Sequence, residues 1–138
     1  MASRPTPADS KPIAHRSRPK YYDLNLLNLP VPGLVSIFHR VTGVAMFLFL
    51  IPLLLLTMQE TLASGTRFAV WAGYLAHPIA KLILIGFIWS FMHHLFAGIR
   101  YLLLDLHIGI ALQPARLSAK LVLVAGIFST LIITARIW

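Results

Sequence analysis

The sequence predicts an all-α membrane protein with three transmembrane helices. Of the 138 residues, 58% are hydrophobic and only 12% are charged, whereas a soluble domain has about 25% charged residues. The apolar residues form three long segments, and the positive charge lies mainly before and between them. A soluble chain of this length has too small an interior for so many apolar side chains, so that class is excluded.

Residues 1–33 differ from the rest, and we predict that they form a basic, proline-rich cytoplasmic arm. They contain six of the nine prolines and five of the twelve Lys and Arg residues. This composition is typical of irregular chain rather than of a packed domain. No apolar core follows the early positive charges before residue 34, so we do not expect a secretory signal.

Residues 34–138 are predicted to form the transmembrane domain. Each apolar segment has the roughly 20 residues that a helix needs to cross a bilayer. Pro52 lies inside the first segment and is expected to kink its helix. The first connection carries Trp71 and Tyr74, which favours a short helix at the membrane interface. The predicted spans are residues 34–58, 78–104 and 117–138.

The distribution of basic residues predicts the orientation of the helices. Three spans place the N-terminus and the second connection on one side, which then carries nine of the twelve basic residues. Because cytoplasmic loops are rich in Lys and Arg, we expect a cytoplasmic N-terminus and a periplasmic C-terminus. The net charge of +8 is thus explained by orientation, and no nucleic-acid partner is expected. The cytoplasmic set comprises Arg4, Lys11, Arg16, Arg18, Lys20, Arg40, Arg100, Arg116 and Lys120.

The first span begins with a cluster of polar side chains. Ser36 and Arg40 are four residues apart, as are His39 and Gly43, so each pair lies on one side of a helix. The small Gly43 leaves room for a group to approach the backbone closely. The alternative is that Arg40 and His39 only extend to the lipid headgroups.

The second span carries a second polar cluster. His94, Gly98, Tyr101 and Asp105 follow one helical face, and an imidazole one turn from a glycine suits an axial haem ligand. The alternative is a histidine that hydrogen-bonds a neighbouring helix. His93 points about 100° away, and spacing alone leaves it open as the functional histidine.

The two clusters are expected in the same leaflet. His39 and Arg40 lie early in the first span, and His94 and Arg100 lie late in the second. A haem with its iron at His94 and its propionates directed toward His39, Arg40 or Arg100 fits this layering, because arginine binds carboxylates through charge-assisted pairs.

Taken together, these residues resemble the cytochrome b556 subunits of succinate dehydrogenase, the larger of two membrane anchors in bacterial complex II. The resemblance extends over residues 18–138, including the Arg18–Leu24 stretch of the arm. It rests on two motifs in the right order, and it implies three helices that form half of a haem-binding bundle with a partner anchor subunit. The motif residues are Ser36, His39, Arg40 and Gly43, then His94, Gly98, Arg100 and Asp105.

The resemblance also implies roles for individual residues. His94 matches the axial ligand of a b haem, whose other ligand comes from the partner anchor. Ser36 and Arg40 match quinone-site residues, and His39 and Arg40 match positions near the haem propionates. Tyr101 stands where some members of the family have a histidine, so a propionate contact there depends on its hydroxyl.

The implied function is electron transfer from succinate to ubiquinone in the bacterial inner membrane. Flavin and iron–sulfur chemistry would belong to a flavoprotein subunit and an iron–sulfur subunit, which agrees with the absence of cysteine from this chain. Two alternatives remain. One is the anchor of a quinol:fumarate reductase, and the other is a non-redox transport or assembly subunit that uses His39, Arg40 and Asp105 as an ion pathway.

Overall fold

The computed structural model describes residues 29–138, which fold as helices joined by short turns. The predicted arm lies outside this range, apart from its last five residues, and so does the Arg18–Leu24 stretch. Three helical stretches of 33, 28 and 26 residues are long and apolar enough to cross a membrane. They confirm the predicted all-α transmembrane fold. Their bounds are Val31–Ala63, Pro78–Asp105 and Leu112–Ile137.

The first stretch consists of α1 (Val31–Ala45), one π-helical turn (Met46–Leu50) and α2 (Ile51–Ala63). The widened turn directly precedes Pro52, whose ring cannot donate a backbone hydrogen bond. The N–H of Ile51 instead closes a bond to the carbonyl of Met46, five residues back. The predicted disturbance at Pro52 therefore takes the form of a π turn, a usual way to absorb an irregularity within a helix.

The first connection folds as α3 (Gly65–Ala76), in agreement with the helix expected near Trp71 and Tyr74. The hydroxyl of Ser64 caps its first turn by accepting a hydrogen bond from the N–H of Arg67. Arg67 also forms an ion pair with Glu60 at 3.1 Å, which ties the end of α2 to the start of α3.

The second span is α4 (Pro78–Asp105) and the third is α5 (Leu112–Ile137). A Schellman motif ends α4: Ile108 and His107 donate backbone hydrogen bonds to the carbonyls of Leu103 and Leu104, with His107 in the left-handed region at φ 61°. This tight stop reverses the chain within a few residues, so that α5 returns antiparallel to α4.

The core lies where α1, α4 and α5 meet. Its buried apolar side chains are Val35, Ala97, Ala119 and Val122, and the two alanines let the helix backbones approach closely. Large apolar side chains such as Phe47 and Leu62 are exposed on the outside. In a bilayer that outer surface faces lipid or another membrane subunit, so its exposure is expected.

Candidate functional site

The two polar clusters meet where α1 packs against α4. The imidazoles of His39 and His94 stack with their centroids 4.0 Å apart and their planes 16° apart. Each ring lies against a glycine of the opposite helix: a Cβ atom on Gly43 would stand 3.0 Å from Cε1 of His94, and one on Gly98 would stand 3.7 Å from Nε2 of His39. The site is therefore built from two reciprocal histidine–glycine contacts.

Hydrogen bonds orient the ring of His94. Its Nδ1 lies 3.1 Å from the backbone carbonyl of His39 and 3.4 Å from the hydroxyl oxygen of Thr42. A carbonyl oxygen only accepts, so Nδ1 carries the proton and donates it. The other ring nitrogen, Nε2, has no hydrogen-bond partner within residues 29–138, and in the tautomer with its proton on Nδ1 it carries the lone pair.

His93 points into the interior of the chain's own three-helix bundle. Its side chain is fully buried, its ring stacks on Trp89 and meets Phe38 edge-on, and its backbone lies against Gly126 of α5. Neither ring nitrogen has a hydrogen bond within the described range. Of the two adjacent histidines, only His94 retains partial exposure, and it alone is accessible to a group outside these helices.

Ser36 and Arg40 lie on α1 beside this site. Ser36 is partly buried and Arg40 is exposed, so the guanidinium of Arg40 is available to a ligand or another subunit. Asp105 is the last residue of α4 and is exposed. Residues 29–138 supply no basic partner for it within 4 Å.

Arg100 is directed toward α5. Its side chain is only 6% exposed, and it donates hydrogen bonds to the hydroxyl of Ser118 at 3.0 Å and to the carbonyl of Ala115 at 3.3 Å. On the helical wheel Arg100 lies about 120° from His94. Its two hydrogen bonds therefore join α4 to α5 on a different side of α4 from the stacked histidines.

Tyr101 belongs to the same side of α4 as His94. Its ring lies 5.2 Å from that of His39, and its hydroxyl is buried without a hydrogen-bond partner among residues 29–138. An unpaired buried hydroxyl is unfavourable by about 1–3 kcal/mol, so this atom is suited to a polar group that residues 29–138 do not supply.

An apolar groove of about 370 Å³ lies between α4 and α5 and includes Arg100 and Ser118 in its lining, but not His94. The open nitrogen of His94 thus lies outside this groove, on a surface of the α1–α4 pair. Residues 29–138 also contain no group of three or more His, Cys, Asp or Glu side chains arranged to hold a metal ion.

Sequence reasoning missed two residues that hold these side chains in place. Thr42 was overlooked because a threonine in an apolar helix usually bonds its own backbone, and Ser118 because its partner lies on another helix. The only available signal for Thr42 was its position between His39 and Gly43.

Comparison with known proteins gives a consistent picture. A protein-family model described as "Succinate dehydrogenase/Fumarate reductase transmembrane subunit" matches residues 14–133. The succinate dehydrogenase cytochrome b556 subunit of Coxiella burnetii is 31% identical over 125 residues, which cover 88% of this chain and 97% of that protein. The subunit of the same name from Paracoccus denitrificans is 29% identical over 80% of this chain and 83% of its own length, and that of Rickettsia felis is 27% identical over 90% and 96%.

Proposed function

Because this chain belongs to the succinate dehydrogenase/fumarate reductase transmembrane subunit family, we propose that it is the haem b-binding anchor of a succinate:quinone oxidoreductase. The family match and the shared name of the relatives identify a multi-pass membrane anchor subunit of the succinate dehydrogenase type. The haem, the quinone site and the individual residue roles are the proposed part.

The hydrogen bonding of His94 carries the proposal. Histidines that bind metals almost always donate their other ring N–H to a carbonyl, a carboxylate or water. His94 does this through Nδ1 and the carbonyl of His39, which leaves the Nε2 lone pair for an iron atom. The buried, unpaired hydroxyl of Tyr101 and the exposed guanidinium of Arg40 lie near the same helix contact. This donor set fits a b haem with anionic propionates.

Haem would supply a one-electron carrier between the two anchor subunits. His94 of this chain would hold its iron, together with a histidine of the partner anchor. His39, Arg40 and Tyr101 would hold the propionates through charge and hydrogen bonds. Arg100 is bonded to Ser118 and Ala115, so we assign it to holding α5 on α4, from which it supports the haem site indirectly.

Ser36 and Arg40 form this chain's part of the ubiquinone site. The hydroxyl of Ser36 donates a hydrogen bond to a quinone carbonyl. The guanidinium of Arg40 stabilises the negative charge that develops on the quinone oxygen as it is reduced. The two residues are one helical turn apart on α1, so they can contact the same headgroup, and Arg40 remains close enough along α1 to serve a propionate as well.

The proposed function also implies how the complex assembles and how it lies in the membrane. The flavoprotein and iron–sulfur subunits oxidise succinate and deliver electrons from the cytoplasmic side. This chain and the second anchor hold them on the bacterial inner membrane, with lipid covering the exposed apolar surface. The chain's N-terminus is cytoplasmic and its C-terminus periplasmic, as the distribution of Lys and Arg favours.

The decisive experiment replaces each of the adjacent histidines in turn. We expect His94→Ala to abolish the reduced b-haem absorption band of the purified complex. His93→Ala should keep the band, because His93 packs inside the chain's own bundle. Co-purification with the flavoprotein and iron–sulfur subunits establishes that each variant assembles. A full haem band in an assembled His94→Ala complex contradicts the proposal.

The family description also covers fumarate reductases, so the anchor of a quinol:fumarate reductase is the second candidate. The two functions share the anchor and differ in preferred direction. Measuring succinate oxidation with quinone against fumarate reduction with quinol, on the same purified complex, decides between them.

A further inference from the structure

We infer that Thr42 is a positioning residue for His94. Its hydroxyl and the carbonyl of His39 together hold the Nδ1–H of His94, and so fix the tautomer and ring plane that leave Nε2 to the iron. The inference rests on the proposed function and names a residue to which that function assigns no role.

The hydroxyl of Thr42 is placed to accept from His94. Thr42 is only 2% exposed, and its Oγ1 lies 2.7 Å from the carbonyl of Phe38 and 3.1 Å from that of His39. A hydroxyl has one proton and two lone pairs. The shorter contact shows that the proton goes to Phe38, which leaves lone pairs for another donor.

That donor is the imidazole of His94. Nδ1 of His94 lies 3.4 Å from Oγ1 of Thr42 and 3.1 Å from the carbonyl of His39. Both oxygens accept, so a single N–H is shared between them, with the shorter bond to the carbonyl. Two acceptors on one side of the ring restrict its rotation more than one does, because turning away from either lengthens a bond.

Three of the other threonines in residues 29–138 show that the bond to His94 is not part of ordinary helical threonine chemistry. Thr57, Thr61 and Thr130 each donate to the carbonyl four residues back, also at 2.7 Å. Among residues 29–138, only Thr42 also bonds an imidazole from another helix. Its bond to His94 is therefore additional to the backbone bond that the four threonines share.

The neighbouring glycine makes this contact possible. The hydrogen at Gly43 leaves space for Cε1 of His94, which stands only 3.0 Å from where a Cβ would be. Thr42 thus supplies a hydrogen-bond acceptor, and Gly43 leaves the space that the imidazole of His94 occupies. Together the two residues fix the position of the ring against α1.

The consequence for a bound iron is electronic as well as geometric. An imidazole whose N–H is hydrogen-bonded is a more basic ligand, and a more basic ligand favours the ferric over the ferrous state. Removing one acceptor should raise the haem midpoint potential. Loss of a group that orients a ligand also weakens metal binding, by about 10–100-fold in typical sites.

The test compares three variants in the complete membrane complex. Thr42→Val removes the hydroxyl and keeps the shape, Thr42→Ser keeps the hydroxyl, and Thr130→Val is the matched control. Thr130 is 5% exposed and makes the same backbone bond, but contacts no imidazole. The readouts are the haem midpoint potential from redox titration and the rate at which haem is lost to an acceptor protein.

We expect Thr42→Val to raise the potential and speed haem loss about tenfold or more, while Thr42→Ser and Thr130→Val stay close to the unmodified complex. A Thr42→Val complex with unchanged potential and haem loss overturns the inference. Equal loss of haem in Thr42→Val and Thr130→Val also overturns it, since the hydroxyl of Thr42 would then affect haem binding only through its bond to the helix backbone. A Thr42→Ser variant as altered as Thr42→Val overturns it too. The proposed function would fail by a different result, namely haem retained in an assembled His94→Ala complex.

Discussion

Replacing Gly43 by alanine should weaken haem binding while making α1 itself more stable. The new Cβ would stand 3.0 Å from Cε1 and 3.4 Å from Nδ1 of His94, whereas carbon atoms pack at about 3.5–4.0 Å. The ring must therefore retreat from α1 by about 0.5 Å. Its Nδ1 bond to the His39 carbonyl, now 3.1 Å, would lengthen by up to about 0.5 Å, which takes it to the limit of the hydrogen-bonding range.

The expected result is a haem affinity lower by about 10–100-fold, the usual effect of disturbing a group that orients a metal ligand. Alanine is favoured over glycine within a helix by about 1 kcal/mol, so a weakened α1 cannot explain the loss. The assay is the ratio of haem to protein in the purified complex, together with the rate of haem loss. Gly73→Ala is the control, because nothing lies within 4 Å of its new Cβ. Unchanged haem content and loss rate in Gly43→Ala would refute the reasoning.

Two further predictions concern the other polar residues. Ser36→Ala and Arg40→Ala should each reduce quinone reduction more than succinate oxidation measured with an artificial acceptor, because both residues are proposed to act in the membrane anchor and neither takes part in succinate oxidation. Equal loss of both activities would indicate failed assembly instead. Ser118→Ala should lower the free energy of unfolding by about 1–2 kcal/mol, because it leaves the buried Nε of Arg100 without an acceptor. Ser90→Ala, whose hydroxyl bonds only within α4, should change the thermal unfolding of the complex less, and an equal effect of the two serines would contradict the role given to Ser118.

The three spans could be predicted from hydropathy, but their ends could not. The prediction starts the first span at residue 34 and the third at residue 117, where the continuous apolar segments begin. In the structure α1 starts at Val31 with Pro32 in its first turn, and α5 starts at Leu112 with Pro114 in its first turn. The first N–H groups of a helix have no intrahelical acceptor, so proline is tolerated there.

The far end of the first span was predicted to lie at residue 58, yet helix continues to Ala63. Gln59, Glu60 and Thr61 end the apolar pattern there, and polarity alone suggests a loop. The hydroxyl of Thr61, however, bonds the carbonyl of Thr57 four residues back, which satisfies the side chain within the helix. Local hydrogen bonding of this kind is invisible to a hydropathy profile.

The sequence predicted which site residues share one side of a helix, but it did not predict which residues of different helices are in contact. Helical spacing correctly placed His94, Gly98 and Tyr101 on one side of α4, and the structure brings all three to His39. Spacing does not say which neighbour each side meets. It therefore left His93 open as an alternative to His94, and it could not predict that Arg100 hydrogen-bonds Ser118 and Ala115 of α5. Such contacts depend on how a third helix packs.

The π turn at Met46–Leu50 has a consequence for how positions along the first span are counted. Such a turn accommodates about one residue more than an α turn, which shifts everything beyond it by about 100° around the axis. Counting 100° per residue from Gly43 therefore does not give the side of the helix on which Thr57 lies. A homologue without the extra residue would need one gap between positions 46 and 50 in its alignment with this chain. With that gap, the residues of the homologue that align with Gly43 and Thr57 would lie on the same sides of the helix as in this chain.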